Sequence, residues 1–147
     1  MAALKPQARM KQSRRLHTAG LIFVFLWFFI GGIAHFAAVQ TEMRIVPSFV
    51  PWPRATVITS GVFELLGALG LIWPRSRAAA GAGLLLLTLV VTPANVYMLQ
   101  HWELFPVPYW VLVARLPLQI VLLWVIGWST NVRSLLAPSW PRAASAR

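Results

Sequence analysis

The sequence predicts an all-α, polytopic membrane protein: a bundle of four transmembrane helices with both termini on the cytoplasmic side. Three observations carry that expectation. Of the 147 residues, 59% are hydrophobic and only 11% are charged, whereas a soluble domain has about 25% charged residues. Four apolar segments each approach the roughly 20 residues that a helix needs to cross a bilayer. The 13 Lys and Arg, set against 3 Asp and Glu, are also divided very unevenly between the two sets of connections.

The first span is Thr18–Val39, with no acidic residue, Lys or Arg inside it. A cleaved signal peptide is disfavoured, because its apolar core spans about 7–15 residues and a small-residue A-x-A site should follow. The second span, Ala55–Trp73, is interrupted only by Glu64. The third, Ala78–Leu99, carries Pro93 and Asn95, and the fourth, Tyr109–Trp128, carries Arg115, Pro117 and Gln119. These runs are continuous rather than alternating, and four segments fall short of the roughly eight strands of the smallest membrane barrel. The reading is one membrane domain over 18–128, a basic cytoplasmic tail over 1–17 and a second cytoplasmic tail over 129–147. Both tails are read as mobile, with the first near anionic headgroups.

Lys5, Arg9, Lys11, Arg14 and Arg15 precede the first span, Arg75 and Arg77 separate the second from the third, and Arg133, Arg142 and Arg147 follow the fourth. The opposite side holds only Arg44 and Arg54. This asymmetry over short loops places the basic side in the cytoplasm. The excess of positive charge is thereby accounted for by topology, with no need of nucleic acid. Trp52, Trp73, Trp102, Tyr109, Trp110, Trp128 and Trp140 fall at or near the span ends, as aromatic belts do. With no cysteine in the chain, disulfide, thiolate-metal and thiol redox chemistry are excluded.

The residues that hydrocarbon should exclude are the candidate site. Glu64 lies ~14 Å below the outer end of its span, Arg115 ~9 Å, and His35 and Asn95 ~6 Å, at 1.5 Å per residue. Gln119 lies one turn below Arg115 on the same face. A Glu64–Arg115 pair is therefore geometrically available, and all five residues fall in the outer half of the membrane. Intramembrane ionisable groups point to function, but a mutually neutralised pair can equally fix helix register, and both readings stay open. Gly61, Gly67 and Gly70 flank Glu64 at every third position, and Gly31 lies one turn before His35. Small residues let membrane helices approach closely, which directs these faces inward. Pro93 and Pro117 free the carbonyls of Leu89 and Val113 and should kink their helices. The connection 40–54 contains Val-Pro-Ser-Phe-Val-Pro-Trp-Pro at 46–53 and is expected to lie on the outer interface, partly covering the pocket. His35 has no second histidine at helical spacing, so no metal site is expected.

Six stretches bear a family resemblance: Gly31-Gly-Ile-Ala-His35-Phe36, Val46 to Arg54, Gly61-Val-Phe-Glu64-Leu-Leu-Gly67, Pro74-Arg-Ser-Arg77, Pro93-Ala-Asn95-Val-Tyr97-Met98 and Arg115-Leu-Pro-Leu-Gln119. Together they resemble the DoxX-like family of small bacterial membrane proteins, over about Gly20 to Thr130. The resemblance implies a four-helix bundle in the bacterial inner membrane and a respiratory or redox context, with quinone as the implied cofactor and other subunits of a membrane redox complex as partners. Three functional classes follow. One is an accessory or quinone-binding subunit. Another is a binder or isomerase-like enzyme for an apolar small molecule, in which a carboxylate beside a histidine moves protons. The last is a purely structural subunit. Glu64, Arg115 and His35 are the candidate catalytic residues, and Asn95, Gln119, Tyr97 and Trp52 the candidate ligand-binding ones.

Overall fold

A computed structural model describes residues 6–135 of the chain, with side-chain surroundings from Met10 onward. Lys5, Trp140, Arg142 and Arg147 lie outside the described residues, as does the side chain of Arg9. Among the described residues the chain is all-helical, without a strand. The elements are α1 (Pro6–Ala37), α2 (Val39–Glu42), α3 (Pro53–Gly70), α4 (Arg77–Val90), α5 (Thr92–Gln100) and α6 (Tyr109–Ser129), joined by turns that include two short 3-10 segments, with a third after α6.

The helix boundaries follow local chemistry. The first helix starts at Pro6 rather than Thr18, so part of the expected tail is an extension of α1. Proline at a first helical turn lacks only an N–H that would be unpaired there anyway. That rule also explains α3, which opens at Pro53 directly after Trp52, a residue in the left-handed region with φ 54°. α3 ends at Gly70, three residues short of Trp73, and the Trp73–Ser76 turn leads into α4. The expected third span divides at Val91 into α4 and α5, with Pro93 in the first turn of α5. Pro117, by contrast, sits inside an unbroken α6. Proline position decides the difference, since a first turn tolerates it and an interior turn loses one hydrogen bond without having to end.

Three helical segments are long and apolar enough to cross a membrane: Met10–Ala37, Arg77–Gln100 (α4 and α5 together) and Tyr109–Ser129. The 18-residue α3 begins Pro53-Arg54 and contains Glu64, which lowers its mean hydropathy. It is nonetheless held in place on two sides. α1 packs along α3, α3 along α4, α4 along α6 and α6 along α1, while α5 continues beside α6.

The contact is dry and apolar at the end near the α3–α4 turn, where Val24, Phe28, Ala68, Leu71, Leu84, Leu122 and Ile126 form one buried cluster. Burying such a side chain is worth roughly 1.5–3 kcal/mol against water, although against lipid close packing replaces that driving force. Glycines set the spacing. A Cβ on Gly32 would come within 2.8 Å of Leu65, one on Gly70 within 2.8 Å of Ala80, and one on Gly67 would overlap Leu84. Outward faces are apolar, with Ile22, Leu26, Trp27, Ile30, Leu86, Val90, Ile120, Val121 and Trp124 all exposed. A soluble monomer rarely exposes so much apolar surface.

Candidate functional site

The polar side chains form two separate clusters, and the expected Glu64–Arg115 pair is not one of them. Glu64 on α3 faces His35 on α1, with Oε1 3.5 Å from Nε2. The two side chains are 14% and 19% exposed. Glycines make this approach possible. A Cβ at Gly31 would meet Glu64 Oε2 at 2.7 Å, and one at Gly61 would meet the His35 Cβ at the same distance. The contact leaves His35 Nδ1 and Glu64 Oε2 buried with no hydrogen-bond partner among the described residues.

Arg115 sits elsewhere. From α6 its Nη1 reaches the sulfur of Met98 on α5, at 2.9 Å, and the residue is exposed. Helix order separates Arg115 from Glu64. α3 lies against α1 and α4, whereas α6 lies against α1, α4 and α5, and α3 makes no extended contact with α6. Equal depth along two helices did not imply adjacency around the bundle.

The second cluster centres on Gln119, a buried residue of α6. Its Oε1 accepts a 2.7 Å hydrogen bond from Asn95 Nδ2, and its Nε2 donates both to the Thr88 carbonyl at 3.0 Å and to Thr92 Oγ1. Thr92 Oγ1 in turn donates to the Thr88 carbonyl, and the Thr88 hydroxyl to the carbonyl of Leu84. This network bridges the α4–α5 break to α6. Thr88 and Thr92 were not singled out from sequence, although Thr88, Thr92 and Asn95 stand at i, i+4 and i+7, the spacing of one helix face.

Beside this network lies an open groove of about 540 Å³, lined by Phe49, Leu89, Thr92, Pro93, Val96, Tyr97 and Gln100. Tyr97 lines this groove, with its ring 4.2 Å from that of His101. Trp52 does not. It is 78% exposed and absent from the groove, and Phe49, 76% exposed, is the residue of the 40–54 connection that lines it. Thr92 belongs to both groove and network. Among the described residues no group of three His, Cys, Asp or Glu side chains could hold a metal ion.

The family model described as domain of unknown function DUF8561 matches residues 12–133. The chain belongs to that family. The DUF8561 domain thus takes in most of α1, both polar clusters and all of α6. No curated protein and no solved structure matches the chain.

Proposed function

We propose that this DUF8561 protein is a four-span membrane protein of the bacterial inner membrane that binds an apolar small molecule, of quinone class, as an accessory subunit of a membrane redox system. α3 is the fourth crossing, since it is held between α1 and α4, and both termini face the cytoplasm by the positive-inside argument. One observation carries the binding assignment: the groove beside Thr92 pairs apolar walls from Phe49, Leu89, Pro93 and Val96 with the polar tips of Thr92, Tyr97 and Gln100. Ligand sites commonly combine a mostly apolar wall with a few convergent polar groups. A ring carbonyl would find donors in the Tyr97 hydroxyl and the Gln100 amide, while an isoprenoid tail would lie along the lipid-facing surface. The DoxX-like stretches support the redox setting.

The test is solvent extraction of the purified protein followed by mass spectrometry. Quinone enriched over bulk membrane lipid, and lost in Val96→Trp, is the expected result; a bulk-like lipid profile in the parent protein overturns the reading. Because the chain has no cysteine, single cysteines at Ala2 and Ala146 report the sidedness of the termini directly. Labelling of both from the outside of intact cells would reverse the topology.

A second reading rests on a different observation. His35 and Glu64, with two buried unpartnered atoms between them, suit proton transfer on an apolar substrate. Loss of a cellular redox phenotype in Glu64→Gln, with the quinone content unchanged, would favour this reading over the groove.

A further inference from the structure

The other end of the molecule has a cavity that the proposed function leaves unused. A crevice of about 250 Å³ opens between the first helix and the end of α3, lined by Thr18, Leu21, Ile22, Phe25, Leu71 and Ile72, with Arg77 at its rim. Its mostly apolar wall runs along the first helix, because Thr18, Leu21, Ile22 and Phe25 repeat at helical spacing on one face. Arg14 and Arg15 extend the same face one turn further, and both are exposed.

The rim is built to be positive. Arg77 is half-buried, and its Nε donates to the Leu71 carbonyl at 3.1 Å, which fixes the guanidinium beside the crevice. Ser76 precedes α4 but does not cap it. Its hydroxyl turns back to the Gly70 carbonyl at 2.8 Å, and α4 begins with no side-chain cap. The positive end of the α4 dipole therefore adds to the field of Arg77. No acidic side chain among the described residues offsets this charge. The chain has three acidic residues, Glu42, Glu64 and Glu103. Glu42 and Glu103 belong to connections at the opposite ends of the helices, and Glu64 faces His35.

An uncompensated arginine above an apolar slot, at the level where a membrane helix meets the headgroups, calls for a ligand with an anionic head and a hydrocarbon tail. We propose that this crevice binds one anionic phospholipid, with an acyl chain along Leu21, Ile22 and Phe25 and the phosphate held by Arg77 and the Arg14–Arg15 pair. Basic pockets between helices on the cytoplasmic side are suited to such headgroups. Assigning the lipid to the cytoplasmic leaflet rests on the topology proposed above; the binding itself does not.

Native mass spectrometry of the full-length protein in mild detergent, titrated with dioleoyl phosphatidylglycerol or dioleoyl phosphatidylcholine, tests the site. Phosphatidylglycerol should remain bound at collision energies that strip phosphatidylcholine. Arg14→Gln/Arg15→Gln should weaken binding by about thirtyfold for the two charges lost, and Ile22→Trp, which fills the crevice, should abolish it. Both variants change exposed residues, so their unfolding midpoints in lipid-free detergent should match the parent's, which separates lost binding from lost folding. Equal retention of the two lipids, parent-like binding by Ile22→Trp, or displacement of the lipid by inorganic phosphate alone would each overturn the proposal. Cysteine labelling that places the termini outside, with the phosphatidylglycerol adduct intact, would move the site to the other leaflet and leave it standing.

Discussion

The α1–α3 and α5–α6 interfaces both bury polar side chains, and they satisfy them to opposite degrees. Gln119 uses its amide oxygen and its amide nitrogen on Asn95, Thr88 and Thr92. His35 and Glu64 make one 3.5 Å contact and leave Nδ1 and Oε2 without partners. Native proteins pair nearly all buried polar atoms, so an unpaired one calls for a reason. A saturated network behaves as a fastener that fixes helix register. An unsaturated ionisable pair keeps hydrogen-bonding capacity for a proton or ligand, at some expense in stability.

The sharpest way to break that contrast is to crowd the unsaturated interface. A Cβ on Gly61 would meet His35 Cβ at 2.7 Å and the Gly32 carbonyl oxygen at 3.2 Å. The backbone oxygen cannot swing aside, so Gly61→Val should cost up to about 3 kcal/mol, as overpacked cores do. A fall in the thermal midpoint larger than in any other variant here is the expected reading; an unchanged midpoint would mean that the α1–α3 seam is loose. Next comes Gln119→Leu, which removes three hydrogen bonds. At about 0.6 kcal/mol each within a membrane, the loss should be roughly 2 kcal/mol, and Asn95→Leu in the same background should add little, because the two residues share one bond. Additive losses would show that Asn95 has another role.

The smallest effect on stability is expected from Glu64→Gln. It keeps the shape and removes the charge of a group with one contact, so the midpoint should shift by no more than about 0.6 kcal/mol. If the loss instead equals that of Gln119→Leu, the pair is a fastener too, and the distinction between the interfaces disappears.

The all-helical layout was legible in the sequence, because apolar length is a property of the chain alone. The fourth expected span coincides with α6 to within a residue, and Pro93 marks the α4–α5 break. Pairing between helices was not legible. Depth along a helix follows from residue number, whereas azimuth and neighbour order follow from packing, so Glu64 and Arg115 share an expected depth while the neighbour of Glu64 is His35. The Gly31 and Gly61 positions, each one turn or one helix step from the pair, held the better clue, since both interlock with it. The α1 extension was missed for a related reason: hydropathy marks where lipid begins and is silent on where a helix does.

That extension has a mechanical consequence. A 32-residue helix is about 48 Å long at 1.5 Å per residue, while the hydrocarbon layer measures about 30 Å. The His17 ring lies against Trp128, with ring centres 4.2 Å apart and planes inclined by 33°, and so braces the rod against α6. Whatever approaches from that side meets a stiff mast, whose cations are presented at set angles and heights, and not a loose tether that sweeps them through space.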